Sequence, residues 1–299
     1  MNNYTYKQIK ENNCAYSLKM KKIDKSNIIK ICNTMNIFHI GRTLKKMEYE
    51  NSKADNYLKA TISNSLNQTD FRYYMEILFQ YIDQVKKFSD MSLAQNKFLT
   101  ININLIFKNL NMSNGGKSYY HFQKSLNKLS DVTLNYDKKI TLDGLCSIHK
   151  ESLISYRILY KNSRKIGKND ALNSWRKLAI KMHPIILDMY KDATYNYSLF
   201  NQNSYNKIVS DKLKLLYYYF CCLTVPEGHL ITLTINDLLL LWPKSNLRQL
   251  ISQRKQEIVQ LLKDFVNLNS ELDDLDINLN YQKSEIIGIK IKKCQLRLI

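Results

Sequence analysis

Gly115-Gly116-Lys117-Ser118-Tyr119-Tyr120-His121-Phe122-Gln123-Lys124-Ser125-Leu126-Asn127-Lys128-Leu129 is the stretch on which the fold turns. A helical period starts straight after the two glycines, which permit the positive φ of a sharp reversal between helices. Tyr119, Phe122, Leu126 and Leu129 share one side of that helix, while Lys117, Tyr120, His121, Lys124 and Lys128 share the other. An apolar back and a basic, aromatic front suit a helix that packs on a core and faces a DNA groove.

Upstream, Thr69 is a good N-cap for an amphipathic helix whose stripe is Phe71, Tyr74, Met75, Leu78, Ile82 and Val85. A short segment from Asn102 carries Leu105, Ile106 and Leu110 and leads through Met112-Ser113-Asn114 to the glycines. Downstream the period changes to two, in Val132-Thr133-Leu134-Asn135-Tyr136 and in the run from Leu153 to Tyr160. Asp137-Lys138-Lys139 and Asp143-Gly144 supply turn chemistry between those runs, which would form the wing. Support helix, short helix, turn, basic helix and hairpin is the order of a winged helix.

That order returns in the C-terminal half. Val209, Leu213, Leu216, Phe220 and Leu223 form a second support stripe, and Ile231 to Leu233 a short strand leading to a Thr234-capped helix through Leu238 and Leu241. Pro243 stops this helix. From Ser245 a third helix carries Leu247, Leu250, Ile251, Ile258, Leu261, Leu262 and Phe265 inward and Arg248, Gln249, Ser252 and Lys255 outward, with Arg254 nearer the apolar stripe. After the acidic break Glu271 to Asp276, alternation resumes in Ile277-Asn278-Leu279-Asn280-Tyr281 and in Ile287 to Lys292. This second wing puts Lys290 and Lys292 on one face.

The expected fold is therefore α+β, with two tandem winged-helix domains at 69–168 and 169–299. Residues 1–68 show only partial patterns and read as an N-terminal arm or helical extension. Between the copies, Lys161 to Asn173 has no apolar period and contains Arg164, Lys165, Gly167 and Lys168, so it reads as a linker or a long strand connection. Trp175 opens a β-like run through Met182 that leads into the second half.

Against 26 Asp plus Glu the chain has 45 Lys plus Arg, a formal charge of +19 over 299 residues, which favours a polyanionic partner. AT-rich coding would also enrich Asn, Ile, Lys and Tyr, so the charge supports the helix-and-wing order without proving it. No stretch approaches the roughly 20 apolar residues of a membrane span, and the start lacks a signal-peptide core, so a soluble protein is expected. The cysteines Cys14, Cys32, Cys146, Cys221, Cys222 and Cys294 show no CxxC spacing and read as reduced thiols in a cytosol.

Several motifs resemble chemistry they do not support. Gly115-Gly116-Lys117-Ser118 looks like the tail of a phosphate-binding P-loop, but Asn111 stands where that motif needs glycine, and no buried strand precedes it. His39, His121, His149, His183 and His229 are scattered singly, without metal-ligand spacing, and only His121 shares an exposed basic face. Glu271, Asp273, Asp274 and Asp276 read as a solvated loop. Tyr217-Tyr218-Tyr219 lies on a support helix, with at least two of the three packing the core. The expectation is a protein without catalytic residues, metal or cofactor.

The Asp70 to Phe88 helix, the Gly115-Gly116-Lys117-Ser118-Tyr119-Tyr120 start of the first reading helix and the strand-plus-helix stretch from Trp175 to Met189 together resemble the theta-type plasmid replication initiators. The resemblance covers about residues 69 to 299 and is one of architecture and weak patterns. It implies a protein that binds repeated origin sequences, called iterons, as a monomer, and represses its own gene as a dimer formed through the first winged helix. Host replication initiator and replicative helicase would be the partners at a melted AT-rich segment. By the same resemblance, Arg248, Gln249, Ser252 and Lys255 read bases, and Lys117, Tyr120, His121, Lys124 and Lys128 match a face where phosphate contact is more usual. Arginine reaches two guanine acceptors and glutamine pairs with adenine, so no nucleophile is required. A winged-helix transcription regulator of a phage or mobile element shares every one of these features, and a nucleic-acid-binding scaffold without sequence preference is the other rival.

Overall fold

The computed structural model of the chain describes residues 21–23, 28–32, 37–39, 47–53, 56–62, 66–88, 94, 97–138, 147–160, 175–191, 197–223, 228–239, 251–294 and 296–298. Among these, six short strands come first: β1 (Lys21–Ile23), β2 (Ile28–Cys32), β3 (Phe38–His39), β4 (Met47–Lys53), β5 (Asn56–Ile62) and β6 (Leu66–Asn67). Then come α1 (Gln68–Val85), β7 (Leu99–Ile101), α2 (Ile103–Asn109) and α3 (Gly116–Ser130). Strands β8 (Thr133–Lys138), β9 (Ser147–Ser152), β10 (Ile154–Tyr160) and β11 (Trp175–Met182) follow. The C-terminal part runs α4 (Ile185–Lys191), β12 (Tyr197–Asn201), α5 (Gln202–Lys207), α6 (Asp211–Cys222), β13 (Leu230–Thr234), α7 (Ile235–Leu238) and α8 (Ile251–Asn267). It ends in β14 (Leu275–Gln282), β15 (Glu285–Lys293) and β16 (Leu296–Leu298). The result is a mixed α/β structure of small sheets and helices.

The stripe expected on α1 is buried, but so are Tyr73, Glu76, Ile77, Phe79 and Tyr81, so this helix is enclosed on nearly every side. Its cap is Asn67, two residues before Thr69. Asn67 Oδ1 accepts from the Thr69 and Asp70 amides, and Asp70 Oδ2 accepts from the Asn67 amide, a reciprocal capping box. The reversal after α2 also differs from the expectation. Asn111, at φ 52°, takes the left-handed position, with its amide on the Lys108 carbonyl and the Met112 amide on that of Phe107. That is a Schellman ending, in which asparagine replaces glycine. Gly115, at φ −94°, simply caps α3.

Two three-stranded sheets have the same topology. In one, β11 lies between β10 and β7; in the other, β15 lies between β14 and β13. Each is an antiparallel pair joined by the short strand that precedes the second helix of its set. The expected first wing is thereby corrected. The run from Leu153 pairs with β11, whereas β8 pairs with β9 on one side and β5 on the other. Trp175–Met182 thus belongs to the first sheet, and the stretches read as turn and linker, 139–146 and 161–173, lie outside the described residues. Alternation marks a strand but cannot say which other strand completes its hydrogen bonds.

Residues expected as an arm or helical extension supply strands instead. β1 runs parallel to β16, β2 antiparallel to β12, β3 parallel to β6, and β4 with β5 extends the β8–β9 pair to four strands. β4 and β5 form a local hairpin and β3 meets the nearby β6, but the partners of β1, β2 and β5 at β16, β12 and β8 lie more than 70 residues away, so no local period announces those pairings. One contiguous core runs from Ile29 to Ile291. Phe38 of β3 meets Phe71 and Tyr74 of α1 at 5.1 and 5.3 Å, and Phe71 meets Tyr218 of α6 at 5.0 Å. Arg72 of α1 pairs with Asp211 of α6 at 3.0 Å. The two support helices therefore pack on one another. Val209, expected in the second stripe, is 91% exposed, because α6 starts only after Ser210 and leaves it in an extended connection.

Candidate nucleic-acid interface

α3 is built as its period indicates. Phe122, Leu126 and Leu129 are buried, Phe122 lies 5.1 Å from Tyr73 and 5.7 Å from Phe107, and Tyr119 meets Phe107 edge-on at 4.9 Å. This aromatic back fixes the helix against α1 and α2. Lys117, Tyr120, His121 and Lys124 form one exposed stripe at i, i+3, i+4 and i+7, with the Tyr120 and His121 rings 5.6 Å apart. Two ammonium groups thus bracket an exposed aromatic pair.

Lys128 has a different role from the rest of that set. It is half-buried, and its ammonium lies 2.8 Å from Oδ2 of Asp70, whose other oxygen accepts from the Ser125 hydroxyl at 2.6 Å. A buried carboxylate of the α1 cap therefore holds α3 in place through two side chains. This contact spans 58 residues of sequence, which is why the helical period placed Lys128 with the exposed lysines.

In the second set, α8 buries Ile258, Leu261, Leu262 and Phe265, and Phe265 meets Phe220 of α6 edge-on at 5.2 Å. Ser252 and Lys255 are exposed; Ser245, Arg248 and Gln249 lie outside the described residues. Arg254 packs as expected, donating to the Leu239 carbonyl, and Lys212 pairs with Glu257 at the root of the exposed turns. Ile251 corrects an expectation. Placed inward by the period, it is exposed, while Ile258 on the same face is buried. Gln253 and Gln256, which the stripe did not single out, share the exposed turns.

Lys290 and Lys292 are half-buried on the outer face of β15, opposite Thr232 and Leu230 of β13 and Asn278 and Asp276 of β14. The β14–β15 turn consists of Lys283 and Ser284 at φ 46° and 68°. Two successive positive φ values make the tight hairpin form that normally takes Asn-Gly, so the usual sequence signal is absent. Lys283 is exposed at this tip and escaped the sequence reading for that reason. Lys293 points to the opposite side, its ammonium 2.7 and 2.5 Å from the carbonyls of Cys221 and Leu223, where it caps the end of α6.

The acidic break is not wholly solvated. Asp274 is buried, accepts from the Tyr217 hydroxyl at 2.5 Å, and has its carboxyl raised above the ordinary carboxylate range, chiefly by burial. Glu76, buried on α1, accepts from Asn109 at 2.8 Å and is likewise raised, chiefly by burial. Burial lowers Lys214 and raises Tyr205, whose ring lies 4.7 Å below the Lys214 ammonium. Glu76, Lys214 and Tyr205 lie in the seam between the support helices, and Asp274 packs against α6 through Tyr217. Among the described residues no three His, Cys, Asp or Glu side chains are gathered to hold a metal, and no helix is long and apolar enough to cross a membrane.

The family described as "Domain of unknown function (DUF1368)" matches residues 2–299. The chain belongs to the DUF1368 family. No curated protein matches the sequence. Among solved structures, domains 2 and 3 of RctB, determined from selenomethionine derivatives, align over 89% of this chain and 98% of theirs, with a TM-score of 0.54 at 10% identity. Another structure of the same RctB domains aligns over 86% and 95%, with a TM-score of 0.45 at 10% identity, too loose to argue from. The first is a likeness of fold and extends over nearly the whole family region.

Proposed function

We propose that this protein is a sequence-specific double-stranded DNA-binding replication initiator, formed by two tandem winged helices. The observation that carries the proposal is the repeated topology: helix, short strand, helix, basic helix and hairpin, with the second hairpin strand central in both sheets. In each copy the basic helix buries an apolar back and exposes a polar front. The formal charge of +19 supplies attraction to phosphates. The fold likeness to domains 2 and 3 of RctB, a replication initiator, supports the same reading.

In this reading the front of α8, with Arg248 and Gln249 just before it and Ser252 and Lys255 on it, reads base edges. Lys117, Tyr120, His121 and Lys124 of α3 contact the backbone, and Lys290, Lys292 and Lys283 of the second wing add phosphate contacts. The targets are repeated origin sequences of a plasmid, bound in the bacterial cytosol. Bound copies promote opening of the neighbouring duplex and recruit host initiator and replicative helicase, and a dimer represses the initiator's own gene. None of these steps asks the protein for a catalytic residue or cofactor.

The test is a titration of the full chain against duplex from beside its own gene, with unrelated duplex as competitor, at two salt concentrations. Binding that survives competition and forms a ladder on direct repeats is the expected result. Weak binding that salt abolishes equally on both duplexes would refute the proposal.

A further inference from the structure

The front of α3 holds a ring pair that phosphate contact does not account for. Tyr120 is 53% exposed, whereas Tyr119 beside it packs edge-on against Phe107 of α2 at 4.9 Å. The Tyr120 ring stands edge-on to that of His121 at 5.6 Å, and Lys117 and Lys124, both exposed, lie one turn to either side. A phosphate is held by donors such as an ammonium, whereas the face of an aromatic ring is negative and repels it. A lone exposed tyrosine would call for no explanation. This one is paired with an imidazole at the centre of a cationic stripe. From Lys117 to Lys124 the helix rises about 10 Å, close to the roughly 12 Å width of the major groove. Ser113, Asn114 and Gly115 ahead of the helix are small and exposed, which leaves room for a duplex at that end. With the two ammonium groups at the sugar-phosphate edges, the rings between them face the bases.

We infer that Tyr120 and His121 read bases: the Tyr120 ring packs on the C5-methyl of a thymine, and a His121 ring N–H donates to N7 of an adjoining purine. Both targets are open in the major groove, where apolar side chains meet the thymine methyl and N7 of either purine accepts a hydrogen bond. The inference rests on the duplex-binding proposal above and goes beyond it by giving α3 a share of the sequence preference in addition to its backbone contacts. Loss of the methyl contact is worth about three- to fourfold in affinity, and loss of one hydrogen bond about two- to twelvefold.

Two kinds of modified base test the two contacts separately. The full chain is titrated against the gene-proximal duplex and against copies carrying one replacement at a time. Deoxyuridine in place of a thymine removes only the methyl, and a 7-deaza analogue in place of a purine removes only the N7 acceptor. Among the positions where wild type loses affinity by those factors, one thymine should become indifferent in Tyr120→Ala and an adjoining purine in His121→Ala. Positions read by α8 should be unchanged. Lys117→Ala, the backbone control, should lower the salt slope by about 1 and leave every base preference as it is. Circular dichroism of all three variants should match wild type, since these side chains are exposed. Tyr120→Ala and His121→Ala variants that weaken every duplex equally, with each base preference intact, overturn the inference, as does wild-type indifference to every replacement. Either failure alongside retained preference for the gene-proximal duplex leaves the initiator proposal standing; loss of that preference in wild type removes both.

Discussion

Gly288 is the position at which a single methyl group should do the most damage. It lies in the central strand of the second wing sheet, opposite Thr234 of β13 and Asn280 of β14. A Cβ built there would stand 2.0 Å from the Leu233 carbonyl oxygen and 3.0 Å from both the Leu233 carbonyl carbon and the Thr234 Cα. All three are backbone atoms, so no rotamer can relieve the contact. β13 would have to retreat by more than about 1 Å to restore van der Waals distance. Overpacking of this kind costs about 1–3 kcal/mol, and loosening one or two ladder hydrogen bonds adds about 1 kcal/mol each. Gly288→Ala should therefore destabilise the protein by about 2–5 kcal/mol, a fall in Tm of about 3–8 °C for a chain of this size. The consequence reaches the interface, because Thr234 ends β13 and also caps α7 through Asp237. Gly115→Ala is the control: its Cβ would meet only Ser113 Oγ at 3.6 Å, and the cost should stay under about 1 kcal/mol. Urea denaturation of both variants measures the difference. Equal, small losses would refute the close-approach argument.

Lys128→Ala and Lys124→Ala should separate structure from binding. The first strips a buried carboxylate of its cation and should cost about 1–3 kcal/mol of stability. The second should leave stability within about 0.5 kcal/mol while lowering the salt slope of DNA binding by about 1; the reverse pattern would reverse the roles assigned here. Replacing Lys283-Ser284 by Asn-Gly fits the turn's positive φ values and should stabilise by about 0.5–1 kcal/mol, with weaker DNA binding from the lost lysine, measured by denaturation and by titration. The folded pKa of Asp274 lies above its unfolded value, so the folded state holds that proton more tightly. Its contribution to stability is full below the unfolded pKa and declines as pH rises through the window up to the folded one. Asp274→Asn, which can still accept from Tyr217, should flatten stability across that window; an unchanged pH profile by thermal denaturation would remove Asp274 as its source.

What the sequence alone determined was local. The inward faces of α1, α3 and the second half of α8, the Thr234 cap and the β14–β15 hairpin were all legible. Each depends on a period of 3.6 or 2 and on neighbours within a few residues. Tertiary structure decided what each local element met. Leu153–Tyr160 alternates as a wing strand whatever its partner, and only the fold pairs it with Trp175–Met182 rather than with β8. Lys128 belongs to the exposed stripe by spacing, and only the approach of Asp70 draws it away. β1, β2 and β5 gain hydrogen bonds from β16, β12 and β8, more than 70 residues along the chain, so no pattern within 1–68 could reveal those pairings. Ile251 shares the inward face of Ile258 by spacing, yet only Ile258 is buried. A helical period describes which residues share a face; the extent of the neighbouring surface determines which of them are covered.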